Sequence, residues 1–288
     1  MATKKYMHKW TIILFGLVLM LIFILIFALN TRLTIRTYEI VSEKIADGSS
    51  ISIVLLSDLH STLFGTDQQP LITRINSQKP DIILLAGDIM VDAIPNENTR
   101  LFLEGIHDIA PIFFVTGNHE YWGTNSGNIQ IIRSIIESYG IRFLSDEYAK
   151  VYINGNNLII AGVEDPDKIN AIPDYNQAES MKNAFGNLGG FDCYFKILLA
   201  HRPEYIGLYA KFPFDVAVAG HTHGGQVRIP FILNGLWASG QGWFPRFAGG
   251  LYTYNDLILI VSRGLAIHSR VPRIFNPPEI TVIVLSHP

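Results

Sequence analysis

Seven side chains able to hold a cation stand directly after apolar runs: Asp58 and His60 in Ser57-Asp58-Leu59-His60, Asp88 after Gly87, Asn118 in Gly117-Asn118-His119-Glu120, His201, and His221 and His223 in Gly220-His221-Thr222-His223. Asp58 and His60 are two apart, so in a strand-like continuation both would face one side and could chelate one ion; His221 and His223 share that spacing. A carboxylate can bridge two cations through its two oxygens, and Asp88, alone after its run, is the natural candidate. Asn118 offers a neutral amide oxygen and His201 another imidazole. The set supplies enough nitrogen and oxygen donors for two ions and no sulfur, which suits Mn, Fe, Zn or Co rather than Ca or copper(I). Glycine before Asp88, Asn118 and His221 fits tight turns. Taken singly, a histidine after a strand is more often structural and a Gly-Asp pair is most often a turn; the ordered set carries the reading.

The elements that must position these groups are short runs rich in Ile, Val, Leu and Phe at 51–56, 81–86, 111–116, 157–162, 195–200 and 215–220, which read as buried strands. Helices are expected at 69–78, 98–109 and 129–139, and strand-like runs return at 257–261 and 280–285, an α/β arrangement with helices covering sheets. Polar groups at strand ends match the crevice where open α/β sheets gather their sites.

The ordered set Asp-x-His, Gly-Asp, Gly-Asn-His-Glu, His and Gly-His-x-His resembles the signature of the calcineurin-like metallophosphoesterases. The SDLH, AHRPE, GHTHGGQV and NPPEI segments make the chain similar to bacterial membrane-associated phosphodiesterases of the YkuE/YaeI type, over nearly everything after residue 50. The resemblance implies one ion on Asp58, His60, Asp88 and His223 and a second on Asp88, Asn118, His201 and His221, with manganese expected and Zn, Fe or Co possible. It also implies a four-layer α/β/β/α sandwich of two mixed sheets flanked by helices. Two such ions activate a bridging hydroxide for in-line attack on phosphorus. His119 resembles the family's phosphate-contacting histidine, a general acid for the leaving oxygen; the alternative is that it orients Asp58. Asp92, Glu120, Asp165 and Arg202 lie near the motifs and read as supporting residues. His8, His107, His268 and His287 fall outside them and read as solvated or core histidines.

The 288-residue chain has room for one substantial domain. Half of it is hydrophobic and only 16% charged, and part of that excess is local: Trp10 to Leu29 contains no charge, a length expected of a membrane-crossing helix. Residues 1–30 thus read as an uncleaved anchor, 31–48 as a linker and 49–288 as the catalytic domain. Lys4, Lys5 and Lys9 before the apolar segment, against Arg32, Arg36 and Lys44 after it, tip the orientation toward an extracytoplasmic domain at the cell membrane. A single cysteine, Cys193, excludes an intrachain disulfide and a thiolate cluster, and a net charge of -3 without a basic track after residue 50 argues against a nucleic-acid partner. The Gly-rich aromatic tract 229–254, with Trp237, Trp243, Phe244 and Phe247, reads either as a wall of the substrate cleft or membrane contact, or as core of the second sheet.

The expected function is hydrolysis of a phosphodiester or pyrophosphate of a membrane or envelope component. A phosphomonoesterase acting on proteins or nucleotides uses the same metals, and a non-catalytic scaffold of the same fold is the third reading.

Overall fold

The computed structural model describes residues 2–90, 96–122, 129–267 and 271–288, leaving aside the side chains of residues 2–9, 11 and 12. Asp92, His268 and the His8 side chain therefore lie outside the described residues.

In chain order the elements are helix α1 (Ala2–Ala28), strands β1 (Thr34–Val41) and β2 (Ser50–Leu56), α2 (Gln69–Ser77), β3 (Ile82–Ala86), α3 (Glu97–Ile106), β4 (Ile112–Val115) and α4 (Ile129–Ser138). Next come β5 (Arg142–Phe143), β6 (Glu147–Ile153), β7 (Asn156–Gly162), α5 (Gln177–Phe185), β8 (Phe195–Leu199), α6 (Ile206–Tyr209) and β9 (Val216–Ala219). The last are β10 (Trp237–Ala238), β11 (Gly242–Trp243), β12 (Gly250–Tyr254), β13 (Leu257–Val261) and β14 (Glu279–Ser286). One mixed sheet has the order β1-β14-β2-β3-β4-β5 and the other β12-β13-β9-β8-β7-β6, while β10 and β11 form a separate ribbon.

The central strands are continuous apolar runs because both of their faces are covered. Alternation decides which way each residue points. Ile53, Leu55, Ile82, Leu84 and Phe113 join Leu158, Ile160, Ile197, Leu199 and Val218 in the core between the two sheets. Their neighbours Val54, Leu56, Ile83, Leu85 and Phe114 pack outward on Leu71 and Ile75 of α2, Phe102, Leu103 and Ile106 of α3, and Ile132 and Ile136 of α4. On the far side, Ile159, Ala161, Leu198 and Ala217 meet Met181 and Phe185 of α5 and Ile206 and Tyr209 of α6. The result is two mixed sheets face to face with helices outside. Asn96 caps α3 by accepting from Thr99 N at 3.1 Å, and Asn176 caps α5 by accepting from Glu179 N at 3.2 Å.

The stretch read as a linker is partly sheet: β1 pairs in parallel with β14 from Thr34↔Glu279 to Val41↔Ser286. The folded unit thus begins before Ser49. Strand β14 lies between β1 and antiparallel β2, so the chain's last strand is internal to the first sheet.

The apolar stretch expected to cross a membrane falls in α1. Among the described residues, no helix is long and apolar enough to cross a membrane. The described α1 side chains from Ile13 to Phe27 are exposed, whereas Ala28 is buried and its carbonyl accepts from Phe275 N at 2.7 Å.

Candidate metal centre

Strands β2, β3 and β4 are parallel, so Asp58, Asp88 and Asn118 emerge at one edge of the first sheet. Strands β8 and β9 are parallel too and deliver His201 and His221 at the corresponding edge of the second. The two edges are tied through Asp58, whose Oδ1 and Oδ2 both lie 3.0 Å from the donating His221 N.

Six of the seven expected ligands, all but Asn118, come together within short distances of one another. His60 Nε2 and His223 Nε2 are 3.2 Å apart, and His223 Nε2 lies 3.7 Å from Asp58 Oδ1. On the other side His201 Nε2 and His221 Nδ1 are 3.1 Å apart. Asp88 stands between the groups, its Oδ2 3.6 Å from His60 Nε2 and 3.3 Å from His201 Nε2. Donor atoms of Asp58, His60 and His223, and separately of Asp88, His201 and His221, lie within 4.8 Å of one another. Asn118 Oδ1 and His221 Nε2 are buried without a hydrogen-bond partner. Ring nitrogens this close, a shared carboxylate and an orphaned amide oxygen fit divalent cations better than they fit one another. His201 Nδ1 is 2.7 Å from Ala86 O, a bond that places a proton on Nδ1 and turns Nε2 toward Asp88 and His221.

Burial pushes the Asp58 carboxyl up to about 6 against the pull of His201, and pushes His60 down to about 4 against the pull of Asp88. It also holds His221 and His223 well below the usual histidine range, in the neutral form that binds cations. Burial alone would raise Asp88, but His201 and His60 outweigh it and keep the carboxylate ionised. Burial would lower His201, yet Asp88 beside it lifts it to about 10.

The backbone at these positions is unusual. Asp58, His60, Asp88, His221 and His223 all have positive φ, between 45° and 70°. Left-handed non-glycine residues each cost about 1–3 kcal/mol and gather at functional sites. This corrects the sequence-based geometry: Asp58 and His60 do not continue a strand but sit in a bend, where His60 N donates to Asp88 O at 3.0 Å and Asp58 N to Gly87 O at 3.0 Å. Gly117 is required by space, since a Cβ there would lie 2.2 Å from Asp88 Oδ1 and 2.8 Å from His201 Cε1.

His119 donates its backbone N–H to Asp88 Oδ1 at 2.9 Å, and its half-buried ring stands edge-on to His60 at 4.5 Å and against Trp122 at 4.7 Å. Glu120 is fully buried and accepts from Asp88 N, Ile89 N, Met90 N and Gly117 N at 2.7–3.2 Å, clasping two ligand-bearing loops. Arg202 donates to both oxygens of Asp165 at 2.8 and 3.0 Å beside His201.

Two residues escaped the sequence reading. Arg273 is buried and donates to the carbonyls of Ala266, Arg263 and Gly264, holding the segment whose Ala266 N donates to Asp58 O at 2.7 Å. Glu204 has both carboxylate oxygens buried without a hydrogen-bond partner, one of them 3.9 Å from His221 Nε2. Of the aromatic tract, Phe247 joins the second sheet's core, while Trp237, Trp243 and Phe244 are exposed.

The calcineurin-like phosphoesterase family model matches residues 51–225, more than half of the chain and the whole span from Asp58 to His223. The chain is a calcineurin-like phosphoesterase. It is accordingly a hydrolase of phosphate esters in a family that uses divalent metal ions. Three relatives agree with that membership. An uncharacterized metallophosphoesterase of Aquifex aeolicus is 27% identical over 260 residues, covering 88% of this phosphoesterase and 92% of its own length. The uncharacterized metallophosphoesterase YkuE of Bacillus subtilis is 28% identical over 240 residues, covering 81% and 78%. UDP-2,3-diacylglucosamine pyrophosphatase LpxG of Chlamydia trachomatis is 25% identical over 284 residues, covering 84% and 85%.

Proposed function

We propose that this phosphoesterase hydrolyses a phosphodiester or pyrophosphate bond of a membrane- or envelope-associated substrate. The observation that carries the reading is the pair of donor groups meeting at Asp88, whose Oδ2 faces His60 Nε2 on one side and His201 Nε2 on the other. Asp58, His60, Asp88 and His223 would hold one divalent ion and Asp88, Asn118, His201 and His221 the other, manganese being expected and Zn, Fe or Co fitting the same donors. Bound there, the ions would supply an activated water and positive charge against the phosphoryl oxygens. His119 serves as the general acid, its imidazole handing a proton to the departing oxygen. Glu120 and Arg202 keep the ligand loops in place.

The substrate class is supported by the Chlamydia relative, which carries the name of a pyrophosphatase of UDP-2,3-diacylglucosamine. A substrate at a membrane also suits α1 as an anchor with the domain outside the cytoplasm, since its described side chains from Ile13 to Phe27 present apolar surface that nothing in the folded unit covers.

The test is turnover by the full chain, purified in detergent and loaded with manganese, on bis(p-nitrophenyl) phosphate, a nucleotide-sugar pyrophosphate and p-nitrophenyl phosphate. The first two are expected to outpace the monoester; preference for the monoester would favour a phosphomonoesterase instead. Asp88→Asn is expected to lower bound metal more than His223→Ala, and two-ion occupancy in Asp88→Asn would sink the shared-ligand assignment.

A further inference from the structure

A cavity of about 550 Å³ is walled by Arg36, Arg228 and Arg263, without a carboxylate among its lining residues. Three guanidinium groups around one space repel one another unless an anion joins them. Among the described residues, only Arg263 of the three has an ion pair, with Glu279 at 3.1 Å. Arg228 donates to Asn234 Oδ1 through Nη2, but its Nη1 is buried with no hydrogen-bond partner. Burial and then the charge of Arg263 lower Arg228 to about 10, against the smaller pull of Tyr252 and Glu279. Arginine forks suit phosphate oxygens better than any other side chain does.

The rim is of the opposite character. Phe231 and Ile232 project at 108% and 82% exposure, and Phe231 holds a φ of 67°, a backbone strain that a bulky residue rarely accepts. Phe275, also on the wall and also left-handed, is the residue whose N–H binds Ala28 O at the end of α1. A cationic pocket, an apolar lip and the exposed apolar helix thus lie side by side.

From this arrangement we infer that Arg36, Arg228 and Arg263 form a binding site for the phosphate headgroup of an anionic amphiphile, with its acyl portion lying over Phe231 and Ile232. Charge-assisted bonds from the three guanidinium groups would supply the headgroup contacts. The inference deepens the membrane part of the proposed function and rests on that reading for the orientation of α1.

The experiment is calorimetric titration of the full chain in non-ionic detergent with dihexanoyl phosphatidic acid, dihexanoyl phosphatidylcholine and inorganic phosphate. Melting temperature and metal content serve as controls for folding. Phosphatidic acid is expected to bind, and Arg228→Gln to weaken it by about tenfold, the size of one lost charged hydrogen bond. Arg36→Gln, at an exposed position on an edge strand, should weaken it in the same direction. Phe231→Ser should weaken phosphatidic acid and leave inorganic phosphate unchanged. Equal binding of phosphatidylcholine, or of inorganic phosphate, would overturn the amphiphile assignment. Affinity unchanged in both arginine variants but lost in Asp88→Asn would place the ligand at the metal centre and overturn the site. With no bilayer and no turnover in the assay, its outcome is independent of whether α1 crosses a membrane and of which ester is hydrolysed.

Discussion

Glu204 acts through another side chain. Its unpartnered carboxylate faces His221 Nε2, and burial raises it above the ordinary glutamate range. With His221 Nδ1 turned toward His201 Nε2, the opposite ring nitrogen is left for a carboxylate that fixes the tautomer and raises ligand basicity. Glu204→Gln should therefore weaken metal binding by about 10–100-fold, a typical loss for such partners. Metal titration of the variant against the natural protein checks this, and an unchanged affinity would leave Glu204 without a role at the site. The seven candidate ligand positions were legible because Asp, Asn and His after apolar runs are locally visible. Glu204 was not, since its meaning depends on a residue 17 positions away in a different loop. Nor was the positive φ of five ligands, which no residue type announces.

Among the elements, the ligand loops depend on one buried carboxylate. Glu120 receives four backbone N–H groups from the loops after β3 and β4, and burial followed by the charge of Asp88 pushes it up to about 7. Glu120→Ala leaves those donors unpaired, each unsatisfied group costing about 1–3 kcal/mol. The variant should lose about 3 kcal/mol or more of unfolding free energy in urea, and a loss below about 1 kcal/mol would show that water replaces the carboxylate at little cost. Strands β2, β3, β4, β7, β8, β9, β13 and β14 could be read as apolar runs because both faces are covered. Strands β1 and β6 could not. They are edges, TIRTYEIV burying only Ile40 and EYAKVYI only Ala149, so neither carries a run. Helix α5, QAESMKNAF, was missed because its buried Gln177, Met181 and Phe185 include just two apolar residues.

At the scale of the whole molecule, the first sheet is closed by its last strand. β14 fills the place between β1 and β2, and on the way to it Leu265 N donates to Ser57 O and Glu279 N to Gly264 O. A chain ending at Pro278 should therefore fail to fold, binding no metal and melting without a cooperative transition. Cooperative melting of the shortened chain, with normal metal content, would show that the first sheet stands without β14. Pairing Thr34 with Glu279 joins residues from nearly opposite ends of the sequence, a contact that forms slowly because the intervening loop must close first. During synthesis β1 and the edge of β2 away from β3 leave the ribosome well before β14, the strand that joins them. Every candidate ligand from Asp58 to His223 is translated before β14. A polypeptide released before β14 would carry all seven candidate ligands but a gap in the sheet beneath Asp58.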